Sequence, residues 1–383
     1  MQRRVALLLG LVVGFGSISA CSTLGLLPGQ TQKGSSDGIQ RTIVTDDRSL
    51  TNLVADISPR RVIYIGETHD RYDHHLNQLA VIRGLHDRGA GFAIGVEFIQ
   101  RPFQHYLDEY VAGEISEKIL LKRTGYYKNW GYDFRLYRPI LEYARDNGIA
   151  LVALNAPSEL VSQVSDNGFD GLSQQWRNQL PEMQFNADAS YKRRLQRIFE
   201  MHPSSEKQFD KFLQVQILWD EYMADSAASY LQEHPGRQLV VLAGSGHVTA
   251  DSTIPQRVQR KVPHEYTVLI SAAAEPIGMD SVDHILLANG DQLPTAGKLG
   301  LYIGESGGEV TVRRLLHGRT AGESEQVLPG DQITSIAGEP IQSMEDFRLA
   351  MLDRLPGEQV WVELERGRTD GSQVRVSTVI ELI

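Results

Sequence analysis

Two apolar runs without polar alternation, Val62-Ile63-Tyr64-Ile65 and Leu239-Val240-Val241-Leu242-Ala243, predict strands buried on both faces, as in a helix-covered parallel sheet. Each run is followed by the same pattern, Gly-x-x-His: first Gly66-Glu67-Thr68-His69, then Gly244-Ser245-Gly246-His247. A glycine directly after a strand lets the chain turn sharply and sets the histidine just beyond the strand's carboxyl end. Ligands bind at that edge in open α/β sheets. Further strands are expected over 92–98, 149–154 and 266–271. Between them the apolar spacing turns helical: Leu76, Leu79, Ile82 and Leu85 share one face of residues 72–88, which end at Gly89. Residues 139–146 read as a helix closed by Asn147-Gly148, and 101–138 as several short helices with loops. Few strand signals occur over 159–234, which predicts an all-helical insert with a long last helix at 209–232. The fold class is therefore α/β, a parallel-type sheet flanked by helices with a mostly helical insert.

Residues 272–294 hold scattered Gly, Pro and Asp and read as a boundary. Beyond them short strands alternate with glycine turns, at 299–303, 309–315, 332–336, 360–364 and 373–382, around one helix at 344–352. This predicts a small β-rich module.

The amino-terminal end changes the picture of where the protein works. Arg3 and Arg4 precede an apolar core over residues 5–15 that is too short to remain as a membrane helix. Ile18-Ser19-Ala20-Cys21 then resembles a bacterial lipobox, with Cys21 as the acylated first residue of a mature lipoprotein. Residues 1–21 are thus expected to be a lipoprotein signal peptide and 22–43, rich in Gly, Ser, Gln and Thr, a flexible tether. Cys21 is the only cysteine, so no intrachain disulfide can form. Ser22, in place of an aspartate, favours the outer membrane, and the expected location is lipid-anchored there on the periplasmic face. A formal net charge of −10 argues against nucleic acid as a partner and against adhesion to anionic lipid, leaving the acyl chain as the only hold on the membrane.

The strand ends carry the chemistry. Glu67 and His69, Glu97, Asn155 and His247 each stand at or near the carboxyl end of an expected strand. Imidazole beside carboxylate suits first-row metals and equally suits general acid–base work. If the strands are parallel, His69, Glu97 and His247 should lie within roughly 10 Å of one another. His74 and His75 fall on the helix at 72–88 and are expected to face solvent.

Gly66-Glu67-Thr68-His69-Asp70, Gly95-Val96-Glu97-Phe98, Trp130-Gly131-Tyr132-Asp133 with Tyr137-Arg138-Pro139-Ile140, Ala153-Leu154-Asn155-Ala156-Pro157 and Gly244-Ser245-Gly246-His247 together resemble ChaN. ChaN is a group of bacterial haem-binding lipoproteins associated with iron uptake, in a superfamily with the Tiki proteases, TraB proteins and erythromycin esterases. The resemblance runs over about residues 61–271 and places a ChaN-like haem-binding domain at 44–275. It implies ferric haem as cofactor, a homodimer sharing the haem, and a tyrosine phenolate on the iron. Tyr126, Tyr127, Tyr132, Tyr137 and Tyr222 are open for that role; Tyr132 and Tyr137 are favoured because they lie in the matching segment. His69, Glu97 and His247 would also line the cofactor site. Comparison with the hydrolytic relatives implies an alternative, a periplasmic peptidase or esterase using a divalent transition metal, with Glu67, His69, Glu97, Asn155 and His247 around the metal or a nucleophilic water. A third reading is a partner-recognition protein whose first domain is a relic.

In the carboxyl-terminal module, Lys298-Leu299-Gly300-Leu301-Tyr302-Ile303, Leu328-Pro329-Gly330-Asp331-Gln332-Ile333 and Ala337-Gly338-Glu339-Pro340-Ile341 resemble a bacterial PDZ domain over 295–383. The resemblance implies a protein or peptide partner that adds as a strand beside the loop Leu299, Gly300, Leu301, Tyr302, Ile303. The acidic stretch Gly322-Glu323-Ser324-Glu325-Gln326-Val327 departs from the usual small and apolar residues at that place.

Overall fold

The structure, a computed structural model, describes residues 42–183, 188–200, 209–249, 253–272, 282–316, 327–368 and 371–383. The expected signal peptide, Cys21 and most of the expected tether lie outside these residues, as does most of the acidic stretch at 322–327. The last tether positions, 42 and 43, are already strand.

In chain order the elements begin β1 (Thr42–Val44), α1 (Asp47–Ile57), β2 (Val62–Glu67), α2 (Tyr72–Asp87), β3 (Phe92–Gln100) and α3 (Gln104–Val111). Next come α4 (Glu117–Thr124), α5 (Tyr126–Asn129), α6 (Arg138–Asp146), β4 (Leu151–Asn155), α7 (Ser158–Asn167), α8 (Gln174–Arg177), α9 (Ala189–Glu200) and α10 (Phe209–Glu233). The chain continues with β5 (Gln238–Gly244), α11 (Ile254–Lys261), β6 (Tyr266–Ala272) and β7 (His284–Leu287). It closes with β8 (Leu301–Ser306), β9 (Glu309–Leu315), β10 (Gln332–Ile336), β11 (Glu339–Pro340), α12 (Met344–Met351), β12 (Gln359–Gly367) and β13 (Gln373–Glu381). Two compact units result: 42–112 with 136–291, and 113–135 with 292–383.

The first unit is a seven-stranded sheet in the order β1-β7-β6-β2-β5-β3-β4, every pair parallel. β2 and β3 are buried along their whole length, which explains their unbroken apolar runs. α7 to α10 form the expected helical insert between β4 and β5. The paired glycines act by close approach, not by special backbone angles. A Cβ on Gly66 would stand 2.8 Å from Val248 Cγ2 and 3.0 Å from the Ser245 Cα, so β2 can pass the β5 turn only without a side chain there. Neither Gly66 nor Gly244 has a positive φ. The stretch expected to be a boundary contains β7, a member of this sheet.

The second unit is an antiparallel sheet in the order β13-β12-β10-β9-β8, with β11 pairing β10. Its core gathers Val310, Ile333, Ile336, Val362, Leu364 and Ile380. Gly330, at φ +95°, makes the turn of Pro329-Gly330-Asp331, and the buried Asp331 grips Arg366 through both oxygens at 2.7 and 2.8 Å. Residues 113–135, expected in the first domain, belong to this unit. Lys118 pairs with Glu339 (2.8 Å), Lys122 with Asp346 (2.9 Å), and the Arg348 guanidinium lies 5.4 Å from the Tyr127 ring centre.

Candidate functional site

Sheet order explains why distant residues meet. β2, β5 and β3 are consecutive, so Glu67 and His69, the Gly244–His247 turn and Glu97 come from three neighbouring strands. Gly244 sits in the middle. Its N–H donates to Glu97 Oε2 at 2.7 Å, and a Cβ there would lie 2.9 Å from His69 Cε1 and 3.7 Å from Glu97 Oε2. His247 follows in a 3-10 turn, with Nε2 3.6 Å from Glu97 Oε1. His69 and Glu97 thus meet at Gly244, and His247 joins them through Glu97. Glu97 reaches Gly244 from within β3, which runs two residues further than expected.

Each histidine is held by a carboxylate. His69 donates through Nδ1 to Glu67 Oε1 at 2.5 Å, and His247 through Nδ1 to Asp220 Oδ1 at 2.6 Å. The Tyr191 hydroxyl donates to the other oxygen of Asp220 at 2.7 Å. Glu67 Oε2 is buried without a hydrogen-bond partner, with His75 Nε2 3.9 Å away. Burial draws His69 down, but the charge and hydrogen bond of Glu67, with Glu97 and Asp70 behind them, lift it to about 9. Burial likewise opposes a charged His247, and Asp220 and Glu97 outweigh it, so its pKa is raised. Burial pushes Glu67 up, and the charge of His69, then of His75 and His74, brings it below its ordinary value. At neutral pH the His69–Glu67 contact is an imidazolium–carboxylate pair.

His74 and His75 do not face solvent. The polar first turn of α2 is tucked under the end of β2, burying both. His74 Nδ1 accepts from the Thr68 N–H at 3.0 Å; the His75 ring nitrogens lie 3.0 Å from Gln78 Oε1 and 3.2 Å from the His69 carbonyl. Asn155 braces the strand ends, donating to the Glu97 carbonyl at 2.9 Å and accepting from the Ala156 N–H at 2.8 Å.

The favoured tyrosines separate. Tyr137 is 2% exposed, its hydroxyl 3.4 Å from the His69 carbonyl and its ring 4.4 Å from both His75 and Phe98. That is an internal support beneath His69. Tyr132 is half-buried in the second unit, 5.7 Å from the Trp130 ring. Two contributors were missed by sequence reasoning: Asp220 and Tyr191. Asp220 had a readable signal, an acid directly after the apolar stretch Ile217-Leu218-Trp219 of the insert's last helix.

The fold and this histidine–carboxylate edge define a class: parallel-sheet α/β proteins with paired Gly-x-x-His turns. A family model described as haem-binding uptake, Tiki superfamily, ChaN matches residues 53–258, more than half of the sequence, and the chain belongs to that family. The structure of ChaN of Campylobacter jejuni, described as showing cofacial haem binding, superposes with a TM-score of 0.50 at 18% identity, covering 61% of this chain and 89% of that one. It shows a shared fold. The erythromycin esterase EreC (H289N mutant, open conformation) is similar at a TM-score of 0.38 and 13% identity, over 62% of this chain and 78% of that one, too low to carry an argument. The protein RETICULATA-RELATED 5, chloroplastic, of Arabidopsis thaliana is 24% identical over 232 residues, 55% of this chain. The chain spans 31% of that relative's length.

The donors present fit the haem that the family implies, through oxygen and not through histidine. Both edge histidines commit Nδ1 to a carboxylate, and His247 Nε2 faces Glu97. Tyr132, in the second unit, carries a half-buried phenol. Among the described residues no three His, Cys, Asp or Glu side chains are arranged to hold one metal ion.

Proposed function

We propose that the protein binds ferric haem with Tyr132 as the iron ligand and serves haem or iron uptake as an outer-membrane lipoprotein anchored at Cys21. Family membership over residues 53–258 carries the haem reading. An anionic phenolate oxygen is a hard ligand that favours Fe(III). The basic stretch, apolar core and small residues before Cys21 support the anchor, and a second copy sharing the haem completes the reading. The carboxyl-terminal module takes a peptide as an added strand along β8. It stands at a sheet edge, Tyr302 is 54% exposed, and Met344 at the start of α12 donates to Glu305 of β8 at 3.1 Å, which sets the helix beside that strand.

The hydrolytic alternative is the weaker one, because a general base works best with a pKa near the operating pH. His69, at about 9, is an imidazolium there, a proton donor. Hydrolysis by this cluster would rise with pH toward 9, and a rate already at its plateau at pH 7 would overturn that argument.

Tyr132→Phe keeps the ring and removes the phenolate. With hemin added, it should lose or shift the haem spectrum, while Tyr137→Phe should keep it; unchanged spectra in Tyr132→Phe would move the ligand elsewhere. Cys21→Ser should leave membranes or keep its leader; normal processing and fractionation with membranes would sink the anchor.

A further inference from the structure

The side of the edge formed by α9 and α10 carries one charge that the cluster does not neutralise. Arg194 is half-buried on α9, its guanidinium 5.3 Å from the centre of the Tyr191 ring. Its Nη1 would stand 3.4 Å from a Cβ placed on Gly246, the residue before His247. Its Nε is buried without a hydrogen-bond partner, and among the described residues no carboxylate pairs with it. The nearby acids are already engaged. Asp220 accepts from His247 and Tyr191, and Glu221 holds Arg257 and Arg260. Gly246 is exposed and has no side chain, so a ligand can reach the guanidinium from solvent. Trp219 stands edge-on to His247, ring centres 6.4 Å apart, and gives a flat apolar wall beside the charges.

We propose that Arg194, together with His247 beside Gly246, forms a carboxylate-binding subsite at the carboxyl edge of the first sheet. A guanidinium offers two parallel N–H donors that match a carboxylate, and such charge-assisted pairs are among the stronger hydrogen bonds. A carboxylate against Nη1 gives the guanidinium an anionic partner beside its buried, unpaired Nε. The charge balance favours a monoanion. Asp220 and Glu97 together offset more than a charged His247, so Arg194 is the one cation offered to a ligand, too little for a phosphate dianion. A carboxylate can come from a haem propionate or from a free small carboxylic acid, and the haem source rests on the haem binding proposed above, not on which residue holds its iron.

Hemin, hemin dimethyl ester and propionate separate these cases. Wild-type protein should bind hemin more tightly than the diester by about tenfold or more, the scale of one charge-assisted bond. Arg194→Gln should abolish the preference while leaving diester affinity unchanged, and Arg194→Lys should restore part of it; unchanged circular dichroism keeps the comparison fair. Retention of the full preference in Arg194→Gln overturns the subsite. If wild type binds hemin without preference for the acid, or binds neither porphyrin, the free acid becomes the source. NMR line broadening of propionate by wild type and not by Arg194→Gln is then required, and its absence overturns the subsite. Failure of both porphyrins with propionate still bound would sink the haem reading alone.

Discussion

Glu67 and His69 hold each other in opposite charge states inside a turn that water barely reaches. His69 has a folded pKa of about 9 against 6.5 when free, so its contribution is complete below about pH 6.5 and fades as pH rises through 9. Glu67, depressed, contributes above its ordinary 4.5 and loses that as pH falls. Stability should therefore be flat between these limits. Urea unfolding should weaken from pH 6.5 to 10 by up to about 3 kcal/mol. Glu67→Gln should cost about 2 kcal/mol at pH 7 and remove that alkaline decline; an unchanged decline would assign it to other groups. Gly244→Ala is a second test at this scale. Its Cβ would press on His69, so a loss of about 1–3 kcal/mol is expected, whereas Gly236→Ala, with open space around it, should stay within about 0.5 kcal/mol. Equal effects of the two would contradict the packing. The Gly-x-x-His residues were legible because they follow unmistakable strands. The reason for their glycines was not, since close approach of β2 to the β5 turn is a tertiary fact.

At the scale of elements, α10 ties the insert to the sheet. Its apolar residues Met223, Ala224, Ala227 and Ala228 pack on Val241 and Ala243 of β5, while Asp220 reaches the edge and Glu221 holds Arg257 and Arg260 on α11. Glu221 and Arg257 are both buried. Glu221→Gln should strand the Arg257 charge and cost about 3–5 kcal/mol in denaturant unfolding; a loss under about 1 kcal/mol would show that water or another group compensates. β2 to β6 and α10 could be read from the sequence because long apolar runs and helical spacing survive any context. β1 and β7 could not. They are three and four residues long and gain their stability by pairing with each other at the sheet edge. His74 and His75 were misjudged for a related reason: helical spacing names an outward face, but here the first turn of α2 is covered by the end of β2.

For the whole molecule, sequence continuity was a poor guide to division. Residues 113–135 lie between α3 and α6 in the chain yet cluster with the carboxyl-terminal module through Lys118, Lys122 and Arg348. Nothing in their composition separates them from their neighbours. Among the described residues no helix is long and apolar enough to cross a membrane. The central claim, haem bound by this family member through an oxygen ligand, is tested most directly by titrating the purified wild-type protein with hemin and following the Soret band. A saturable shift with the spectrum of a phenolate-ligated ferric haem, lost in Tyr132→Phe, is the expected result. A Soret band that stays that of free hemin at every ratio would contradict it.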